Sequence, residues 1–255
     1  MADVLGRMLW YELLTTDMKA AEGFYANVVG WSVMPFRPEP DAYDMFAKGP
    51  DAPVAGIMRI PDGMQFPPHW EIYVGVPALD EAVAKVERLG GSALSGAIAV
   101  PNVGRIRVMK DPQGAVFALF EPSDAPLAEA PPAPGDASWH ELYTTDAVAA
   151  LAFYREMFGW TASTTMDMGP MGTYHLFGRG GRDIGGMMNM PPGMDGVPPA
   201  WNVYFHVENV HEAAARVTAN GGRILNGPVE VPGGDEIVNC LDPQGGAFSL
   251  HARKR

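Results

Sequence analysis

The sequence predicts an α+β fold of four repeated βαβββ modules, paired into two domains with curved, barrel-like mixed sheets. Two observations carry this. The first is an internal duplication that runs almost end to end: WYELLTTD at 10–17 returns as WHELYTTD at 139–146, AGIMRIP at 55–61 as GGMMNMP at 185–191, and DPQGAVFALF at 111–120 as DPQGGAFSLH at 242–251, with an offset of 129 to 131. A repeat of this period is read before any other signal, because it dictates architecture. The second is a weaker repeat inside each half, in which Trp10, Trp70, Trp139 and Trp201 each head a strand that runs into a short helix.

The helices follow from local chemistry. Residues 18–29 start after Asp17, a good N-cap, and put Ala21, Phe24, Tyr25 and Val28 on one face. Residues 147–158 repeat the arrangement after Asp146, with Ala150, Phe153, Tyr154 and Met157. Residues 79–89 and 210–220 form the other two helices, and each is followed by Gly-Gly, which permits a left-handed C-cap. Short strand-like runs punctuated by Gly and Pro follow each helix, such as 42–48, 115–121, 173–179 and 247–252. One such module buries a single face of its sheet, and two together can close a curved sheet around a cavity with helices outside. The predicted domains are 6–122 and 137–255, joined by a Pro/Ala-rich linker at 123–136 without periodic apolar spacing.

Composition narrows the partners. Of 255 residues, 47% are hydrophobic and 19% charged, which supports a packed core. No apolar run approaches the ~18 residues that cross a membrane, and the N-terminal stretch lacks the basic and apolar regions of a signal peptide. Cys240 is the only cysteine, so neither an intramolecular disulfide nor a thiolate zinc cluster can form. These features predict a cytoplasmic protein with no membrane partner. A formal charge of −12 repels phosphate backbones and argues against nucleic acid. GxSxG, P-loop and GxGxxG signatures are lacking.

The recurring Thr-Thr-Asp, FYxxxxGW and Asp-Pro-Gln-Gly motifs are Thr15-Thr16-Asp17, Phe24-Tyr25 with Gly30-Trp31, and Asp111-Pro112-Gln113-Gly114. The second half has Thr144-Thr145-Asp146, Phe153-Tyr154 with Gly159-Trp160, and Asp242-Pro243-Gln244-Gly245. In this order, and twice, they resemble the vicinal oxygen chelate superfamily of glyoxalases, bleomycin-resistance proteins and extradiol dioxygenases, in its two-domain glyoxalase-like branch. The resemblance implies a divalent metal held by His and Glu inside each barrel, and a homodimer as one oligomeric state. The family's first ligand stands seven residues before the motif Asp, which here is Trp10 or Trp139, and the internal repeat aligns Trp70 and Trp201 with them. A second ligand, a Glu four residues after the motif glycine, is replaced by Ala118 and Ser249. Indole has no lone pair for a metal, Ala has no ligand atom, and Ser is a poor ligand. The expectation is therefore no metal at the usual positions. A rearranged site would have to draw on Glu12, Glu71, Glu141, His69, His140, His175 and His206.

Strand alternation puts Glu12 and Leu14 on the face of Trp10, and Glu141 and Tyr143 on that of Trp139. Trp10, Trp139, Trp70, Trp201, Tyr43, Tyr174, Met58 and Met187 are predicted to line an aromatic, Met-rich cavity for a small aromatic or cationic molecule. Three functions stay open: metal-independent small-molecule binding; a lyase, isomerase or dioxygenase with a rearranged metal site; and a metal-free enzyme with Glu12 or Glu141 as general base.

Overall fold

The structure, a computed structural model, describes residues 4–38, 42–125, 129–194 and 196–254. Residues 126–128 of the predicted linker lie outside that range.

Four modules follow in chain order. The first is β1 (Met8–Thr15), α1 (Met18–Val29), β2 (Ser32–Arg37), β3 (Tyr43–Ala47) and β4 (Pro53–Arg59). The second is β5 (His69–Gly75), α2 (Leu79–Arg88), β6 (Ser92–Ala93), β7 (Ile98–Val100), β8 (Gly104–Lys110) and β9 (Val116–Pro122). The third is β10 (Ala137–Thr144), α3 (Ala147–Phe158), β11 (Thr161–Asp167), β12 (Thr173–Arg179) and β13 (Arg182–Asn189). The fourth is β14 (Ala200–His206), α4 (Val210–Ala219), β15 (Arg223–Glu230), β16 (Glu236–Leu241) and β17 (Ala247–Ala252). The predicted α+β class and four modules are therefore present. The second module departs from βαβββ because the run after α2 is broken at 94–97, leaving β6 and β7 as two short strands that both pair with β8.

Within a module the helix spans two parallel strands. β1 pairs parallel with β4, β5 with β9, β10 with β13 and β14 with β17, while the remaining pairings inside each module are antiparallel. The sheets are thus mixed. The helix starts are as expected: Asp17 accepts a hydrogen bond from the Ala20 amide and Asp146 from that of Ala149. Gly30 and Gly159 end their helices in the left-handed conformation.

Packing divides the chain into two compact units, and each takes one module from each sequence half. One unit comprises the chain up to Leu9, Ile72–Ala130 and Trp139–Trp201; the other comprises Trp10–Glu71, Pro131–Ser138 and Asn202 onward. The motif residues explain this grouping. In the second unit, Trp70 Nε1 donates to Tyr25 Oη (2.9 Å), and Tyr25 Oη donates to Asp242 Oδ2 (3.1 Å). In the first, Trp201 Nε1 donates to Tyr154 Oη (3.1 Å), which donates to Asp111 Oδ2 (3.0 Å). The Tyr of each FY motif therefore meets the Asp of the other half's Asp-Pro-Gln-Gly turn. That Asp also organises its own turn: Asp111 Oδ1 accepts from the amides of Gln113, Gly114 and Ala115. Apolar rings surround each relay. Tyr25 packs with Trp31, Phe46, Trp70 and Phe248, and Tyr154 with Phe117, Phe158, Trp160 and Trp201. The Gly-Trp indoles are tied too, Trp31 to the Gly135 carbonyl and Trp160 to that of Gly6.

Candidate functional site

The strands of the first module present two faces. Asp44 and Phe46 face α1, where Asp44 pairs with Lys19 and Phe46 meets Tyr25. The opposite face carries Trp10, Glu12 and Leu14 from β1, with Gly56 and Met58 across the parallel pairing and Tyr43 beside Met58. Trp10 Nε1 donates to Tyr43 Oη at 3.0 Å. The phenol also bonds Glu12, and burial followed by the Glu12 charge pushes its pKa above the ordinary value. Tyr43 can lie flat here only because position 56 is glycine: a Cβ there would collide with the phenol oxygen.

Glu71 from β5 joins this group. It is 5% exposed and Glu12 is 7% exposed. Burial first, and then the Glu12 charge, push the Glu71 carboxyl up to about 8. Its Oε1 is fully buried and has no hydrogen-bond partner among the described residues. An unpartnered buried carboxyl oxygen is costly, and such atoms in native folds call for an explanation.

The third module repeats half of the arrangement. Trp139 Nε1 donates to Tyr174 Oη at 2.8 Å, and Tyr174 lies over Gly186, the β13 partner of Glu141. Glu141 bonds both Tyr174 and Tyr143, whose hydroxyls are raised by burial and by its charge. Met188, opposite Tyr143 and Tyr174, takes the place that Met58 has in the first module.

Three predicted cavity residues lie elsewhere. Trp70 and Trp201 are in the aromatic cores, 3% and 6% exposed and bonded to the FY tyrosines. The helix starts give the reason. Seven residues before the N-caps Asp17, Ala78, Asp146 and Asn209 stand Trp10, Glu71, Trp139 and Asn202. The indoles of the second and fourth modules are thus one residue out of phase with those of the first and third, and one residue turns a strand side chain to the other face. Met187 is also in the core, fully buried opposite Leu142, because β13 turns Met188 to the Glu141 face instead. Sequence reasoning missed Glu71 as a counterpart of Trp10. The signal available was the spacing to the start of α2, where Ala78 replaces the usual capping side chain.

The family's metal can be tested against these donors. Its ligand positions hold Trp10, Glu71 and Ala118 in the first half, and Trp139, Asn202 and Ser249 in the second. The indole nitrogens of Trp10 and Trp139 donate to tyrosines. Ser249 Oγ accepts from Asn202 Nδ2 and Asn239 Nδ2, both at 2.8 Å. Among the described residues no group of three His, Cys, Asp or Glu side chains converges. The histidines are otherwise placed: His69 Nδ1 donates to the Pro67 carbonyl, and His140 Nδ1 to that of Ile184, with burial holding His140 down at about 4. His175 faces away from Tyr174 along β12, and the His206 ring lies tilted beside that of His251, 5.7 Å between centroids. The residues present do not fit a family-type divalent site, which takes three or more oxygen or imidazole ligands.

Four modules, each with a helix set across two parallel strands, give the fold class of a glyoxalase-like protein. The signature of the Glyoxalase/Bleomycin resistance protein/Dioxygenase superfamily matches residues 137–250, and that of the glyoxalase-like domain matches 11–120. The chain belongs to this superfamily. It is 34% identical over 245 residues to "Putative glyoxylase CFP32" of Mycobacterium bovis, covering 94% of this chain and 92% of that protein. It is 28% identical over 263 residues to the anthracycline biosynthesis protein DauV of a Streptomyces species, covering 96% and 92%. Among solved structures, the Mn(II)-bound glyoxalase of Novosphingobium aromaticivorans matches with a TM-score of 0.69 at 18% identity, over 98% of this chain and 83% of that one. The 2,3-dioxygenase LapB of Pseudomonas sp. KL28 matches with a TM-score of 0.70 at 14% identity, over 99% and 94%. At such identities the structures share the fold. Among the described residues, no helix is long and apolar enough to cross a membrane.

Proposed function

We propose that this chain binds a small aromatic or cationic molecule without the superfamily's divalent metal, at the face formed by Trp10, Glu12, Tyr43, Met58 and Glu71. The observation that carries the reading is the Glu71 carboxyl, buried with an unpartnered oxygen beside Glu12 and the Trp10–Tyr43 pair. A donor or a cation would satisfy that oxygen, and indole and phenol faces add cation–π attraction. The relatives' names, a glyoxylase and an anthracycline biosynthesis protein, fit a small carbonyl or aromatic compound.

The test uses protein purified without a chelating tag and dialysed against trace Fe, Mn, Ni and Zn. Elemental analysis is expected to find metal far below one ion per chain. Titration with benzyltrimethylammonium and benzyl alcohol, followed by tryptophan fluorescence, is expected to show saturable binding by at least one probe. Glu71→Gln should weaken it about tenfold, or about 1.4 kcal/mol. Near-stoichiometric metal would overturn the metal-independent reading, and absence of binding by both probes would overturn the ligand class.

One observation favours a second reading, a metal-free proton transfer. Glu12 and Glu141 are each engaged by tyrosine hydroxyls, Glu12 by Tyr43 and Glu141 by Tyr143 and Tyr174. Glu71 Oε1 has no partner among the described residues, and burial, then the Glu12 charge, push its carboxyl up to about 8, toward the range suited to a general acid or base. On this reading Glu71→Gln abolishes turnover of an α-hydroxy or α-oxo carbonyl substrate, whereas Glu141→Gln leaves most of it. Equal turnover by wild type and Glu71→Gln would exclude it.

A further inference from the structure

A second cluster stands apart from the carboxyl site, where the chain enters β10. Ser138 Oγ lies 2.9 Å from His251 Nδ1, and His251 Nε2 lies 2.9 Å from Asp235 Oδ2. Asp235 is itself oriented, since its Oδ1 accepts from the Lys254 amide at 2.9 Å. Burial works to raise the Asp235 carboxyl, but the Lys254 amide and the His251 ring outweigh it and leave it below its usual value. An ionised Asp235 fixes the ring tautomer: the proton sits on Nε2, and Nδ1 offers its lone pair to Ser138. The hydroxyl also reaches the Tyr204 carbonyl, at 3.2 Å. Both contacts use its single proton, and the shorter one is to the imidazole. Ser138 and His251 are partly exposed, so the group is not sealed in the core.

The internal duplication does not repeat this cluster. The first-half counterparts of Ser138, Asp235 and His251 are Leu9, Gly104 and Phe120. The cluster is present in a single copy, with all three members changed together.

We propose that Ser138, His251 and Asp235 form a second reactive site, a serine nucleophile that takes an acyl or phosphonyl group from a small activated ester. Nucleophile, base and orienting carboxylate are recognised by geometry and role rather than by sequence order. Ser138 Oγ forms a bond to the carbonyl carbon while its proton passes to His251 Nδ1. The alkoxide leaving group departs with that proton. Water then attacks acyl-Ser138 by the same route, releasing the carboxylic acid and restoring the hydroxyl.

The experiment treats the full chain with a fluorophosphonate probe and locates the adduct by peptide mass spectrometry, alongside hydrolysis of p-nitrophenyl acetate. The expected result is one adduct per chain on Ser138, absent in Ser138→Ala. The labelling rate should fall about a hundredfold in His251→Ala, within the usual worth of a general base, and less in Asp235→Asn. Circular dichroism checks that each variant is folded. If His251→Ala does not fold, Ser138→Cys replaces it, because a thiol paired with His251 should react with iodoacetamide well before the buried Cys240. No adduct on Ser138 in the folded wild type, equal labelling in folded His251→Ala, or a thiol introduced by Ser138→Cys that reacts no faster than Cys240 would overturn the proposal.

Discussion

At the scale of single residues, the informative positions are those where strand phase decides which face a side chain takes. Trp10, Glu12, Tyr43 and Met58 were legible in sequence because alternation along β1 and pairing with β4 preserve one phase throughout. Trp70, Trp201 and Met187 were not, because a Trp or Met repeated at nearly constant offset resembles its counterpart even when it is one residue out of register. Glu71 gains its significance from that shift. Its carboxyl stands at about 8 against an ordinary value of 4.5. The folded state therefore holds a proton that the unfolded state has already released between those values. The associated stability is complete below the unfolded pKa and is lost as pH rises through the folded one. Guanidinium denaturation of wild type and Glu71→Gln should show the variant gaining on the wild type by a few kcal/mol, as an order of magnitude, between about pH 5 and about pH 9. A constant difference across that range would mean that Glu71 is not protonated at neutral pH.

At the scale of elements, the motifs that made the fold legible are structural. The FY tyrosine, the Asp-Pro-Gln-Gly aspartate and the core tryptophan form one buried relay per unit. Tyr25→Phe keeps the ring packing but strands the Trp70 indole N–H and one Asp242 oxygen. It should cost about 1–3 kcal/mol, read from the denaturation midpoint at unchanged slope. The sheet face opposite α1 has its own sensitive point at Gly56. Gly56→Ala should displace Tyr43 and break its bond to Trp10, shifting tryptophan emission and weakening probe binding while the fold persists. Unaltered emission and affinity would show that Tyr43 does not need that close approach. The site was less legible than the fold for a physical reason: helix caps and turns are local in sequence, whereas a carboxyl's protonation depends on which distant strands bury it.

At the scale of the whole chain, the predicted linker at 123–136 separates two sequence halves, but each compact unit needs a module from both. The described linker residues take part in the packing. Glu129 pairs with Arg7 and Arg179, and Asp136 pairs with Lys48. Expressed alone, residues 6–122 would expose the Tyr25 side of their core, without Phe205, Phe248 and Asp242 to cover it. Such a fragment should be unfolded or self-associated by size-exclusion chromatography and near-UV circular dichroism. Mixing it with residues 137–255 should restore a native spectrum. A monomeric, fully folded fragment would show that the relays are dispensable.

The crossed relays also bear on how stability scales with dose. In the intact chain each Tyr meets its Asp at the high effective concentration set by the connecting segment, so folding is unimolecular and independent of protein concentration. Severing that segment makes the same contacts bimolecular. The midpoint of unfolding should then rise with total protein, as it does for obligate dimers, although every side-chain contact is the same.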